Sequence, residues 1–232
     1  MRGGGRLGVG WMAALFRVNN YVLYTRPFEL NIVGVRAPET KPNSFDDEIH
    51  VLYRDDKNKW VYHVFKATTD PGTYWLRNPM YEQGTAILAE GQYVNAYQIG
   101  LHRQKYEALV QRGMLTIIRD YDRDAVLDFN NGNTFTGSGF GINIHRANAA
   151  GQTKTVDRNS AGCQVFANAS DFEFFMQLCR HHRSLYGNQF TYTLVDLRAL
   201  LRAGRRTVLA GVAGVSALLS GAALALMNDI KT

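Results

Sequence analysis

What most constrains this chain is the form of its apolar runs, which are short, rich in β-branched and aromatic residues, and broken by polar turns. Ile49–Tyr53 and Trp60–Phe65 flank the turn Asp55–Lys59. Runs of this length alternate between two faces and pair with a close neighbour, so these two read as strands of a hairpin. Gly91–Ile99, Met114–Ile118 and Phe190–Val195 repeat the pattern. One stretch differs: Phe172, Phe175, Met176 and Cys179 recur at helical spacing, which predicts a helix from Ser170 to about Leu185 with one buried face. Ser170 and Glu173 form its capping box. The expectation is an α+β, β-rich domain.

Its boundaries are read from composition. Residues 1–47 are an N-terminal segment and linker: Tyr21–Val35 predicts one or two strands punctuated by Pro27, and Arg36–Asp47 collects prolines, Asn43, Ser44 and acids as a loop does. The opening residues, Met1–Arg17, have the basic start and apolar run of a secretory signal but no small-residue cleavage site, and read as a lead into a core or surface-anchoring segment. The domain proper is expected over 48–198. Residues 199–232 read as a basic linker and an apolar tail, since Thr207–Met227 carries no charge and is about as long as a bilayer is thick. Few soluble helices are apolar all round, so the tail is expected to be a transmembrane helix. Arg198, Arg202, Arg205 and Arg206 precede it and only Lys231 follows, which favours a cytoplasmic-side domain.

At 232 residues, 46% hydrophobic and 20% charged, the chain has the make-up of a folded domain and not of a disordered segment. Its formal charge of +6 suits cell-wall polymer, lipid headgroups or nucleic acid. No basic run interleaved with aromatics follows a nucleic-acid backbone, so no nucleic acid partner is expected. Acids alternate from Asp120 to Asp128 as at the start of a calcium loop, but Ala125 and Asn131 stand where glycine and glutamate are needed, so a solvated acidic turn is expected. His50 and His63 read as ordinary sheet residues. Tyr74 and Trp75 belong to a loop, Ala67–Pro79, and either line a cleft or cover the core.

Of the two cysteines, Cys179 belongs to the apolar helix face, which leaves Cys163 as the unexplained thiol. A thiol becomes a nucleophile by losing its proton, for which a nearby imidazole is the usual base. His145 lies eighteen positions upstream, at the end of an expected strand, Phe140–Ile144, with Ala147–Asn159 as a loop between them. In front of Cys163 stands Ser160-Ala161-Gly162, a tight turn that Ser160 can brace. The amides of Gly162 and Cys163 are the expected oxyanion donors. Ser160, Gln164 and Asn143 are the expected substrate-binding residues, and His102 is a second candidate base, read as a surface residue at a strand end. Against this stands the plainer reading that Cys163 is a small buried hydrophobe and His145 a hydrogen-bonded sheet residue.

Ile144-His145 followed by Ser160-Ala161-Gly162-Cys163 resembles the active-site signature of the L,D-transpeptidase catalytic-domain family. Thr85–Tyr93 is similar to a stretched form of an upstream segment of that family, and the likeness covers roughly Glu48 to Phe190. It implies a mixed β-sandwich or sheet domain with a packed helix. It also implies cysteine-dependent acyl transfer on peptidoglycan stem peptides without a cofactor, in the cell envelope. Cys163 would attack, His145 would take its proton, and the backbone carbonyl of Arg146 would orient the ring. Ala161 and Val165 stand where the family has a second histidine and a substrate-contacting arginine. Two other functions are kept open: a stem-peptide hydrolase such as a phage uses in lysis or entry, and a membrane-tethered wall-binding or virion protein without catalysis.

Overall fold

The computed structural model describes residues 8–38 and 41–198. The expected apolar tail lies outside them, and no helix among the described residues is long and apolar enough to cross a membrane. Eleven strands are described: β1 (Asn31–Arg36), β2 (Asp47–Arg54), β3 (Trp60–Thr68), β4 (Thr85–Leu88), β5 (Gly91–His102), β6 (Tyr106–Gln111), β7 (Leu115–Asp120), β8 (Thr134–Gly137), β9 (Ile144–Arg146), β10 (Gln164–Phe166) and β11 (Phe190–Asp196). With them stand the helices α1 (Val9–Val18), α2 (Thr73–Arg77) and α3 (Ala169–Tyr186).

The architecture is α+β and β-rich. Eight strands close into a barrel in the order β1-β11-β5-β6-β9-β10-β3-β2, and β4-β7-β8 form a separate sheet. The sheet is mixed, because β1 and β11 run parallel, as do β9 and β10. The expected mixed sheet is present and closes into a ring in which each barrel strand is paired on both sides, which removes free edges. The hairpin β2–β3 forms as expected, and Asp55 Oδ1 holds its turn by accepting from the amides of Lys57 and Lys59 at 2.9 and 2.8 Å.

The body of the domain begins well before residue 48. β1 lies between β11 and β2, sending Ile32 to the main core and Val33 and Val35 to a second apolar cluster outside the barrel. Helix α1 covers that cluster with Met12, Leu15 and Phe16, so the early apolar run is a packed helix. Both faces of β1 are thus buried, whereas the stretch before it, Tyr21–Leu30, is irregular. The boundary at 48 fails because strand pairing across the whole chain, not local composition, decides what belongs to the core.

Helix α3 buries Phe172, Phe175, Met176 and Cys179 against β9 and β10, with the Phe175 ring 4.9 Å from that of Phe166. Its cap is not the expected box. Asn168, extended and one residue before the helix, accepts from Ser170 N at 2.9 Å, while Glu173 pairs with Arg180. Asn is as good an N-cap as Ser, and the earlier residue captures the free amides. The small sheet turns Ala86, Leu88, Leu115 and Ile117 to the main core and Ile87 to a minor cluster with Leu76 and Leu127. Near it Arg36, fully buried, pairs with Asp70 at 2.8 Å and donates to the carbonyls of Thr69 and Leu88.

Candidate active site

Parallel pairing of β9 and β10 sets Val165 against His145 and Gln164 against Ile144, so the seventeen residues between the histidine and the cysteine connect neighbouring strands. The strand expected over Phe140–Ile144 is shorter and later, Ile144–Arg146. Cys163 enters β10 from a turn that only glycine permits: Gly162 has φ +118°, and a Cβ there would overlap the carbonyl oxygen of Ala86 on β4. Ser160, wholly buried, donates its hydroxyl to Cys163 O at 2.8 Å and accepts from Gly162 N at 3.2 Å.

Two roles read from the sequence are corrected by these bonds. Gly162 N is committed to Ser160, so of the two expected oxyanion amides only that of Cys163 carries no such tie. Neither Ser160 nor Gln164 faces a ligand. Gln164 is fully buried, donating to the carbonyls of Gly162 and Thr69 and accepting from the Tyr192 hydroxyl at 2.8 Å. These side chains shape the turn from behind. Burial of the strand face that carries Gln164 comes from long-range packing that the sequence around it does not signal.

The thiol is half-buried. Sγ accepts from Asn143 N at 3.4 Å and lies 3.6 Å from Gly141 O, and burial pushes its pKa up from the ordinary thiol value. It opens on a cavity of about 250 Å³ whose wall also includes Met80, Tyr81, His102, Arg103, Arg119 and Phe140. No hydrogen bond joins Sγ to either imidazole. The resting pair is therefore a neutral thiol near neutral rings and not a thiolate–imidazolium pair.

The hydrogen bonds fix which ring nitrogen carries the proton. Asn143 Oδ1 accepts from Gln111 N at 2.9 Å, which orients its amide so that Nδ2 donates to His102 Nδ1 at 3.0 Å. His102 then holds its proton on Nε2. His145 Nδ1 lies 2.8 Å from the carbonyl of Arg146 and donates to it, leaving a lone pair on Nε2, which is buried without a hydrogen-bond partner. Of the two rings, His145 has the geometry of a base. The Tyr106 hydroxyl also donates to Arg146 O, at 3.2 Å.

Both rings are held neutral. Burial, then the neighbouring His102, lowers the pKa of His145 to about 3, while burial, then Arg103, lowers that of His102 to about 4. His102, read from sequence as a surface residue, is 5% exposed. Asn143, expected only to bind substrate, joins the thiol, His102 and β10 through its own bonds, since its carbonyl also accepts from Gln164 N. Arg103 and Arg119, which line the cavity, and Tyr106, whose hydroxyl meets the His145 ring and the Arg146 carbonyl, were not legible as site residues, because each comes from a strand or turn distant in sequence from Cys163. His50 and His63 are sheet residues, as expected; Tyr74 and Trp75 fall on α2.

Among the described residues no three His, Cys, Asp or Glu side chains are grouped so as to hold a metal ion. The acidic turn is not uniformly solvated: Asp120 is buried, accepting from Asp128 N at 3.0 Å. Comparison with family models, with curated proteins and with solved structures found no match.

Proposed function

We propose that this protein is a cysteine acyltransferase acting on peptidoglycan stem peptides, with Cys163 as nucleophile and His145 as base. The observation that supports it is one geometry: a half-exposed thiol at a cavity wall, beside a strand whose histidine is fixed by Arg146 O with its other nitrogen unbonded. The peptide class comes from the resemblance around His145 and Cys163.

In the reaction Sγ leaves its contacts with Asn143 and Gly141 and gives its proton to His145 Nε2 as it bonds to the carbonyl carbon. The amide of Cys163 donates to the oxygen that gains charge. The C–N bond breaks, and the leaving amine takes the proton from the imidazolium. An incoming amine then displaces the thiol from the thioester, and the thiol recovers its proton. If water takes the amine's place, the same steps give a hydrolase.

A second reading, a wall-binding or virion protein without catalysis, is favoured by the raised thiol pKa and by the missing bond between Sγ and the imidazole. Intact-protein mass spectrometry after exposure to a carbapenem separates the readings. An adduct that disappears in Cys163→Ala supports the enzyme; no adduct in the unaltered protein overturns it. Mass spectrometry of digested sacculi then tells new cross-links from free peptide termini.

A further inference from the structure

The cavity wall carries two arginines. Arg119, on β7, donates from Nη1 to Gly84 O at 2.9 Å and lies near two rings, 5.0 Å from the centre of Tyr81 and 5.8 Å from that of Phe140. Among the described residues it has no ion pair, and burial lowers its pKa. Arg36, Arg198 and Arg180 are matched, with Asp70, with Asp196 and with Glu107 and Glu173, whereas Arg54 and Arg146, half-buried like Arg119, have no ion pair among the described residues and lie over the rings of Trp60 and Tyr106. Arg103 stands on the same cavity wall, also without an ion pair, and no residue lining that cavity is acidic.

A desolvated cation without a counter-ion is costly, and a guanidinium presents a planar fork of donors that suits a carboxylate. Nη1 is bound to Gly84 O, and the side chain lines the cavity that Cys163 also lines, with no other hydrogen bond from its guanidinium among the described residues. We propose that Arg119, supported by Arg103, recognises a carboxylate on the substrate of Cys163, so that the cavity takes an acid-bearing peptide in preference to a neutral one. This rests on the reading of Cys163 as the reacting group.

Two alkylating reagents of nearly equal size test it on the full-length protein: iodoacetate, which carries a carboxylate, and iodoacetamide, which does not. Labelling of Cys163 is followed by peptide mass spectrometry. In Arg119→Gln the ratio of the iodoacetate rate to the iodoacetamide rate falls about tenfold, with the iodoacetamide rate unchanged, while Arg119→Lys keeps most of the ratio. Should Arg119→Gln fail to fold, Arg103→Gln and the fall of the ratio with added salt in the unaltered protein give the same reading. An ordinary iodoacetamide rate with a ratio that neither substitution nor salt changes overturns the proposal alone. Inertness of Cys163 to both reagents overturns the nucleophile reading and the proposal with it. Protection of Cys163 by an N-acetyl peptide acid but not by its amide places the carboxylate at the chain end; protection by an amide with a glutamate side chain places it on a side chain. Both results support the proposal, and equal lack of protection by all three counts against it.

Discussion

The imidazole of His102 lies flat on that of His145, ring centres 4.0 Å apart and planes 21° apart. Two stacked rings at this distance cannot both be charged cheaply, so each opposes protonation of the other. Their tautomers differ, one with its proton on Nε2 and the other on Nδ1, because Asn143 and the Arg146 carbonyl bind them separately.

The pair should therefore stay neutral through the physiological range. Proton NMR of the ring C–H signals is expected to show neither histidine titrating near 6.5, with changes only as pH approaches about 4 for His102 and about 3 for His145. Folded pKa values below the unfolded 6.5 mean that the unfolded chain binds more protons. The contribution to stability is then complete above 6.5 and is lost as pH falls through about 4 and then 3. Removing one ring in His102→Ala should move the His145 value upward, since it loses the opposing charge and gains water. An unchanged value would show that burial alone holds it down.

The turn before the cysteine should tolerate little. Gly162→Ala places a Cβ against the Ala86 carbonyl at a left-handed φ, and is expected to cost about 2–4 kcal/mol in denaturant unfolding. Ser160→Ala leaves Gly162 N without its acceptor and should cost about 1–3 kcal/mol. Loss of stability below about half a kcal/mol in both would show that the turn is not held as described.

Alkylation of Cys163 should report a protonated resting thiol. Its rate with iodoacetamide is expected to rise with pH and to keep rising above the ordinary thiol value of 9.0, because burial raises the pKa. A plateau below neutral pH would mean a preformed thiolate, which neither ring in its neutral state would stabilise.

Asp120 predicts the opposite pH dependence from the histidines. Burial first, then Asp122, Asp128 and Asp124, raises its pKa from 3.8 to about 6. The folded state then holds the proton more tightly, so its contribution is complete below 3.8 and is lost as pH rises through about 6. Asp120→Asn should remove this slope and be more stable than the parent at pH 8, by on the order of 1 kcal/mol. Melting curves of the two proteins at pH 5 and pH 8 check it.

How much of this could be read beforehand depended on how local the signal was. Hairpin β2–β3, β5, β7, β11 and the apolar face of α3 follow from spacing within a few residues, and so does the burial of Cys179 in that face. Val9–Val18 and Asn31–Arg36 were set aside with the linker because their partners, β11 and β2, lie far along the chain or beyond the linker. His145 and Cys163 were legible as two residue types, which the parallel pairing of β9 and β10 brings to neighbouring strands, and the Arg146 carbonyl was expected beside the ring through the resemblance. The bonds that spend Gly162 N and Gln164 inside the fold were not.

The amino-acid order by itself determined the β2–β3 hairpin, β5, β7, β11 and the buried face of α3, since alternation and helical periodicity act over one or two turns of backbone. It also supplied a thiol and an imidazole at a spacing that adjacent strands can bring together. Only the tertiary structure decided that the strands close into a barrel, that His102 lies buried against His145, and that Arg119 lines the same cavity as Cys163. Those outcomes depend on contacts between residues tens of positions apart, and no local pattern carries the energy that selects them.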